Sequence, residues 1–216
     1  MWMAQLLHLD ASMRWSGSVS RELSAAYARA WREAHPDGTY TYRDLAVDPV
    51  PHLDQASHTA AATPDEDHTD EQRAGWKISS ELIDELVAAD TVLLGVPMYN
   101  FSIPSTLKAW LDRIVTPRTV VDRETGQGPL AGKRVVVTAS RGGSYAPGTP
   151  RESFEFQERY LRTVLSQVGL DQNLTFVNAE MTLAGTVPAL AQFQDIAAES
   201  LRNAHRTARQ LAVETR

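Results

Sequence analysis

The chain of 216 residues contains no cysteine. That excludes a disulfide framework, a thiol nucleophile, a thiolate-held metal and an iron–sulfur cluster, and it agrees with a reducing compartment. Basic charge is scarce: 21 Lys and Arg face 27 Asp and Glu, the net charge is −6, and no basic run occurs. A protein that binds duplex nucleic acid draws most of its affinity from neutralising phosphates, so no nucleic-acid partner is expected. Long apolar runs are missing as well, so no membrane span is expected. The opening residues MWMAQLLHLD lack a basic leader, and Gln5 and His8 interrupt their apolar run, unlike a secretory signal. With 43% hydrophobic and 22% charged residues, the composition is that of a soluble, cytoplasmic globular protein forming a single domain over residues 1–216.

Several catalytic signatures are also missing. The six histidines (His8, His35, His52, His58, His68 and His205) form neither H-x-x-x-H nor H-E-x-x-H, so no metal site is expected. There is no G-x-S-x-G elbow, no G-x-x-x-x-G-K-[ST] loop and no G-x-G-x-x-G turn, which disfavours a serine hydrolase, a P-loop enzyme and a dinucleotide fold.

What is present is alternation. Apolar or β-rich runs at Trp2–Leu9, Thr39–Arg43, Thr91–Val96, Arg134–Thr138 and Leu174–Val177 read as five strands. Between and after them, apolar residues recur at helical spacing. The helical stripes are Leu23/Tyr27/Trp31, Ile78/Leu82/Leu86, Leu107/Trp110/Leu111/Ile114, Phe154/Leu161/Val164/Leu165/Val168, and Phe193/Ala197/Leu201/Ala204/Ala208/Leu211. Pro104 is expected at a first helical position. Buried strands alternating with amphipathic helices predict an α/β, doubly wound three-layer sandwich on a parallel sheet. Five strands favour the order 2-1-3-4-5, the flavodoxin-like arrangement. The proline-containing, acidic stretch Ala46–Thr69 reads as an irregular solvated surface loop, long enough to serve as a lid or contact surface.

In such a sheet, ligands bind beyond the carboxyl ends of the strands, where the winding reverses. Three segments fall there. The first, Ser12 to Ser20, holds Ser12, Ser16, Ser18 and Ser20 with Arg14 at a helix start, which suits a phosphate; N-capping by Ser18 or Ser16 accounts for one serine only. The second, Pro97 to Pro104, carries Met98, Tyr99, Asn100 and Phe101, a cluster suited to stacking on a flat ring. The third, Ser140-Arg141-Gly142-Gly143, allows close approach of backbone amides, and a plain tight turn reads equally well. Flavin mononucleotide (FMN) fits all three. Asp10, just before the first segment, opposes an anion there.

The run GVPMYNFSIPSTLKAWLDRI at Gly95–Ile114 resembles the cofactor loop of the FMN-dependent azoreductases, also called FMN-dependent NADH:quinone oxidoreductases. Ser12, Ser18–Ser20, Arg43-Asp44-Leu45 and Ser140–Gly143 resemble that family in the same order. The resemblance implies FMN contacts at Ser12, Ser18, Val19, Ser20, Met98, Tyr99, Asn100, Phe101, Ser140, Arg141, Gly142 and Gly143. The phosphate would lie at Ser18 and Ser20, and the ring edge at Asn100 and the two glycine amides. It implies ping-pong hydride transfer from NADH or NADPH to a quinone or azo acceptor, and a homodimer. No obligatory catalytic side chain is implied, and Tyr145 is a candidate for shaping the acceptor site. The chain departs from the family at Thr119-Val120-Val121-Asp122, which has no aromatic residue. Two alternatives remain: a flavodoxin-like FMN electron carrier or reductase of another acceptor, and a regulatory module without flavin. The long Ala46–Thr69 segment favours a covered pocket over a carrier.

Overall fold

The computed structural model describes residues 3–214. Trp2 of the first expected strand lies outside the described residues. Five strands form one sheet: β1 (Gln5–Asp10), β2 (Thr39–Asp44), β3 (Thr91–Pro97), β4 (Arg134–Ser140) and β5 (Asn173–Ala179). Their order is β2-β1-β3-β4-β5 and all neighbours are parallel, as the alternation predicts. The helices are α1 (Val19–Ala34), α2 (Gln55–Ala60), α3 (Asp70–Ala88), α4 (Ser105–Ile114), α5 (Gln157–Ser166) and α6 (Gln194–Val213).

Strand side chains alternate between two apolar layers. Leu6, Leu93, Val136 and Val177 meet Leu23, Tyr27 and Trp31 of α1 and the alanines 204, 208 and 212 of α6. Leu7, Leu9, Val92, Leu94, Val135 and Val137 meet Leu82 and Leu86 of α3, Trp110 and Leu111 of α4, and Leu161 and Leu165 of α5. Every residue of β3 is buried, as a central strand covered on both faces requires.

Local chemistry moves several boundaries. Pro104 is the N-cap of α4 rather than its first residue. Phe154 lies in a 3₁₀ turn before α5 and is exposed, and residues 188–193 form another such turn ahead of α6.

The larger correction concerns residues 46–69, which are mostly exposed, as expected, but are not wholly irregular: α2 and a 3₁₀ turn at Asp65–Asp67 lie within them. Asp54 caps α2 by accepting from the Ser57 amide, and Val50, Ser57, Ala60, Ala61 and His68 are buried. Arg113 of α4 reaches into this segment. Its fully buried guanidinium donates to the carbonyls of Pro51, His52 and Gly75. Asp65, expected to be merely solvated, receives a hydrogen bond from Arg118, which holds its carboxyl below the usual range although burial opposes this slightly. The segment is thus fastened to α3 and α4, and none of its residues lines the cavity described below.

Candidate active site at the carboxyl edge of the sheet

The sheet's winding reverses between β1 and β3, and the segments after β1, β3 and β4 meet there as expected. Tyr99 Oη lies 3.1 Å from Ser12 Oγ and accepts from the Met13 amide at 3.2 Å, joining the first segment to the second. The Met98 amide donates to the Ser140 carbonyl at 2.8 Å, joining the second to the third. Around these links lies a cavity of about 240 Å³ lined by Ser12, Arg14, Gly17, Ser18, Val19, Pro97, Met98, Tyr99, Ser140, Gly142, Thr182 and Leu183.

At one end of the cavity, α1 begins. Ser18 is the N-cap residue, yet its side chain makes no capping bond. Its hydroxyl instead donates to Ser12 Oγ at 2.8 Å. The first-turn amides of a helix have no partner inside the helix, so this end presents unpaired N–H groups beside Arg14. No ion pair of Arg14 occurs among the described residues, and its guanidinium lies against the space a side chain at Gly17 would fill. Unpaired amides, a helix N-terminus and an exposed cation together suit an anion.

Asp10 does not oppose that anion. Its carboxylate lies on the α1 face of the sheet, where it accepts from Ser24 Oγ at 2.8 Å and Tyr42 Oη at 3.0 Å and lies 3.6 Å from Arg21. Burial and this negative charge push the Tyr42 hydroxyl well above its ordinary range. Arg21 also pairs with Asp44 and donates to the Ser12 carbonyl; the Asp44 bond raises its basicity despite partial burial. Asp10 and Arg21 therefore brace the first segment from beneath.

The second segment turns on Asn100 and Phe101. Both have left-handed backbones, with φ of 47° and 70°, and Tyr99 and Ser102 exchange two backbone hydrogen bonds across them. Positive φ at both central residues is the two-residue type I′ hairpin. Asn tolerates it; Phe is strained there. Asn100 is exposed and Phe101 faces Tyr145 and Phe154, with ring centroids 6.4 and 5.5 Å away.

In the third segment, the carbonyls of Arg141, Gly142 and Gly143 accept from the amides of Thr182, Leu183 and Met181. A planar trans peptide directs each following N–H the opposite way. The amides of Gly142 and Gly143 thus turn from residues 181–183 and have no acceptor among the described residues. A side chain at Gly142 would press on the exposed Leu183 side chain, which would have to move aside.

Of the residues predicted for the site, Ser12, Ser18, Val19, Met98, Tyr99, Ser140 and Gly142 line the cavity; Asn100, Phe101, Gly143 and Ser20 do not. Ser20 is buried, 3.4 Å from Ser18 Oγ. Arg141 requires a correction: its amide donates to the Ala179 carbonyl, and its buried guanidinium faces Glu155, Glu158 and Glu180, away from the cavity. Tyr145 is buried rather than on the surface and borders a neighbouring cavity of about 460 Å³. Sequence reasoning missed Thr182 and Leu183. The only signal was their place just after β5, at the same carboxyl edge. Among the described residues no group of three His, Asp or Glu is placed to hold a metal, and no helix is long and apolar enough to cross a membrane.

Comparisons with known proteins bear on the fold and the family. The family described by the flavodoxin-like fold matches residues 4–206. A protein of Frankia alni named FMN-dependent NADH:quinone oxidoreductase is 50% identical over 194 residues, covering 90% of this chain and 92% of its own. One of the same name from Streptomyces avermitilis is 45% identical over 207 residues, covering 95% and 94%. Among solved structures, the azoreductase AzrA superposes with a TM-score of 0.82 at 24% identity, covering 98% of this chain and 100% of its own. An FMN-dependent NADH-azoreductase from Bacillus anthracis, in complex with FMN, gives 0.79 at 24% identity, covering 97% and 98%. The structural likenesses speak for the fold, and the sequence likenesses for the family. The chain belongs to the flavodoxin-like family, among the proteins that bear the name FMN-dependent NADH:quinone oxidoreductase.

Proposed function

We infer that this protein is an FMN-dependent oxidoreductase that passes hydride from NADH or NADPH to quinones and aromatic azo compounds. The observation that carries the reading is the carboxyl-edge cavity with unpaired amides at two places, the start of α1 and the Gly142–Gly143 turn. The names of relatives at 45–50% identity support it.

The residues suit the cofactor. The α1 amides, the linked Ser12 and Ser18 hydroxyls and Arg14 would hold a phosphate monoester. Met98 and Tyr99 would flank a flat ring. The glycine amides would donate to the oxygen and nitrogen acceptors along its polar edge and stabilise negative charge there. FMN, when bound, supplies the hydride chemistry. The protein's part is to bind, orient and hold the ring where donor and acceptor reach it in turn. No side-chain acid or base is assigned, and Tyr145, packed against Phe101 and lining the neighbouring cavity, would help shape the acceptor site. The reading extends to a cytoplasmic homodimer with each flavin near the subunit contact, which follows the family's pattern.

The test is direct. Purified protein should take up FMN with quenching of its fluorescence, then oxidise NADH or NADPH in the presence of a quinone or an azo dye. Parallel double-reciprocal lines support one site shared in turn by donor and acceptor. A protein that binds FMN yet turns over neither acceptor is a carrier, and one that takes up no FMN refutes the reading.

A further inference from the structure

The structure assigns Arg141 the role of a positioning residue, which rests on the FMN reading above. It holds the rim segments after β3 and β4 in register for the cofactor's ring without touching it. Arg141 is 3% exposed. Its Nε donates to Gln157 Oε1 at 3.1 Å, and Gln157 Nε2 donates to the carbonyl of Val96 at 3.1 Å. Val96 directly precedes Pro97 and Met98, so this relay reaches the root of the second segment. Its terminal nitrogens meet Glu155 and Glu158 at 3.3 Å and Glu180 at 3.4 Å.

Each carboxylate has a second task. Glu155 accepts from the amides of Gln157, Glu158 and Arg159 and so caps the start of α5. Glu158 is paired with Arg162, which with Asn178 and Arg141 holds its carboxyl below the usual range although burial opposes this. Glu180 accepts from Ser144 Oγ at 2.6 Å and from the Tyr145 amide at 3.0 Å, fixing the chain just after Gly143. The Gly142–Gly143 turn is therefore clamped on both sides: by the Arg141 guanidinium before it and by Glu180 after it. Glu155 is buried and Glu158 and Glu180 are partly so; like charges gathered this closely out of water need a cation among them. A planar guanidinium can serve several of them at once, and an ammonium cannot do so in the same geometry.

The experiment compares Arg141→Met, Arg141→Lys and Glu180→Gln with wild type. The readouts are far-UV circular dichroism, thermal midpoint, FMN dissociation constant and flavin midpoint potential. Arg141→Met should raise the FMN dissociation constant about tenfold and weaken the reduced form more than the oxidised one. Each further tenfold loss in the reduced form moves the potential negative by about 30 mV for a two-electron couple. Arg141→Lys should recover part of both. Glu180→Gln should keep the native spectrum and shift both in the same direction by less, and it decides the matter should Arg141→Met fail to fold. Native spectra with wild-type FMN affinity and potential in Glu180→Gln and Arg141→Lys would overturn the role, leaving Arg141 a stabilising residue only. Wild type that binds no FMN would instead defeat the functional reading beneath it.

Discussion

The missing side chain of Gly95 leaves room for the carboxylate of Asp10, and an added methyl would collide with it. Gly95→Ala should therefore push Asp10 off Ser24 and Tyr42 and cost roughly 1–3 kcal/mol, as overpacking does. Urea denaturation reads the loss. FMN binding should weaken with it, because the Ala11 amide, just before the first segment, donates to the Gly95 carbonyl. At Asn100, side chain and backbone separate cleanly. Asn100→Ala removes the amide and adds roughly 1–2 kcal/mol of left-handed strain, whereas Asn100→Gly removes the amide alone. If both slow flavin reduction or weaken binding, the side chain acts; if only Ala does, the turn acts; if neither does, the ring-edge role of Asn100 is wrong. Residue types read well where chemistry is local: serines before a helix, a Met-Tyr pair after a buried strand, paired glycines. Arg141 read badly for the same reason. Beside Ser and Gly it looks like a ligand group, while the carboxylates that claim it lie 14, 17 and 39 residues further on.

Elements whose burial is two-sided were legible because their pattern has one solution. RVVVT and TVLLGV have no exposed face, and Leu107, Trp110, Leu111 and Ile114 mark one side of α4 only. Residues 46–69 were opaque because their order comes from elsewhere: Arg118 donates to the carbonyls of Ala60, Ala61 and Thr63, and the buried Arg113 to those of Pro51 and His52. Arg113 is the more buried of the two. Burial lowers the basicity of that guanidinium, and it bonds to carbonyls rather than to a carboxylate. Arg113→Met should leave the three carbonyls short of a charged donor and cost about 2–4 kcal/mol. The loss should appear first as faster proteolysis within residues 46–69, with FMN affinity nearly unchanged because this segment does not line the cavity. A tenfold loss of FMN affinity would mean that α4 transmits the damage to the Met98–Phe101 turn.

For the whole molecule, acid is the informative stress. Burial raises the carboxyls of Asp44 and Glu158, but hydrogen bonds from Arg21 and Ala46, and from Arg162 and Asn178, outweigh it and leave both lowered. A carboxyl lowered in the folded state contributes stability that is complete above the unfolded value and lost as pH falls through the folded one. The urea midpoint should thus hold steady above about pH 5 and fall below it, and Asp44→Asn should flatten part of that fall. A midpoint unchanged down to about pH 3 would contradict the assignment. Sedimentation decides the oligomeric expectation, since a monomer at micromolar concentration would contradict the proposed homodimer.

The hydrogen bond between Ser12 and Tyr99 spans 87 positions of sequence, and the Gly142 turn is shaped by residues that follow the last strand. A chain ending before residues 181–183 lacks part of the cavity lining, so flavin quenching during refolding should follow docking of the edge strand. Excess FMN, at a hundred times its dissociation constant, would add about 2.7 kcal/mol to the finished protein and nothing to its precursors.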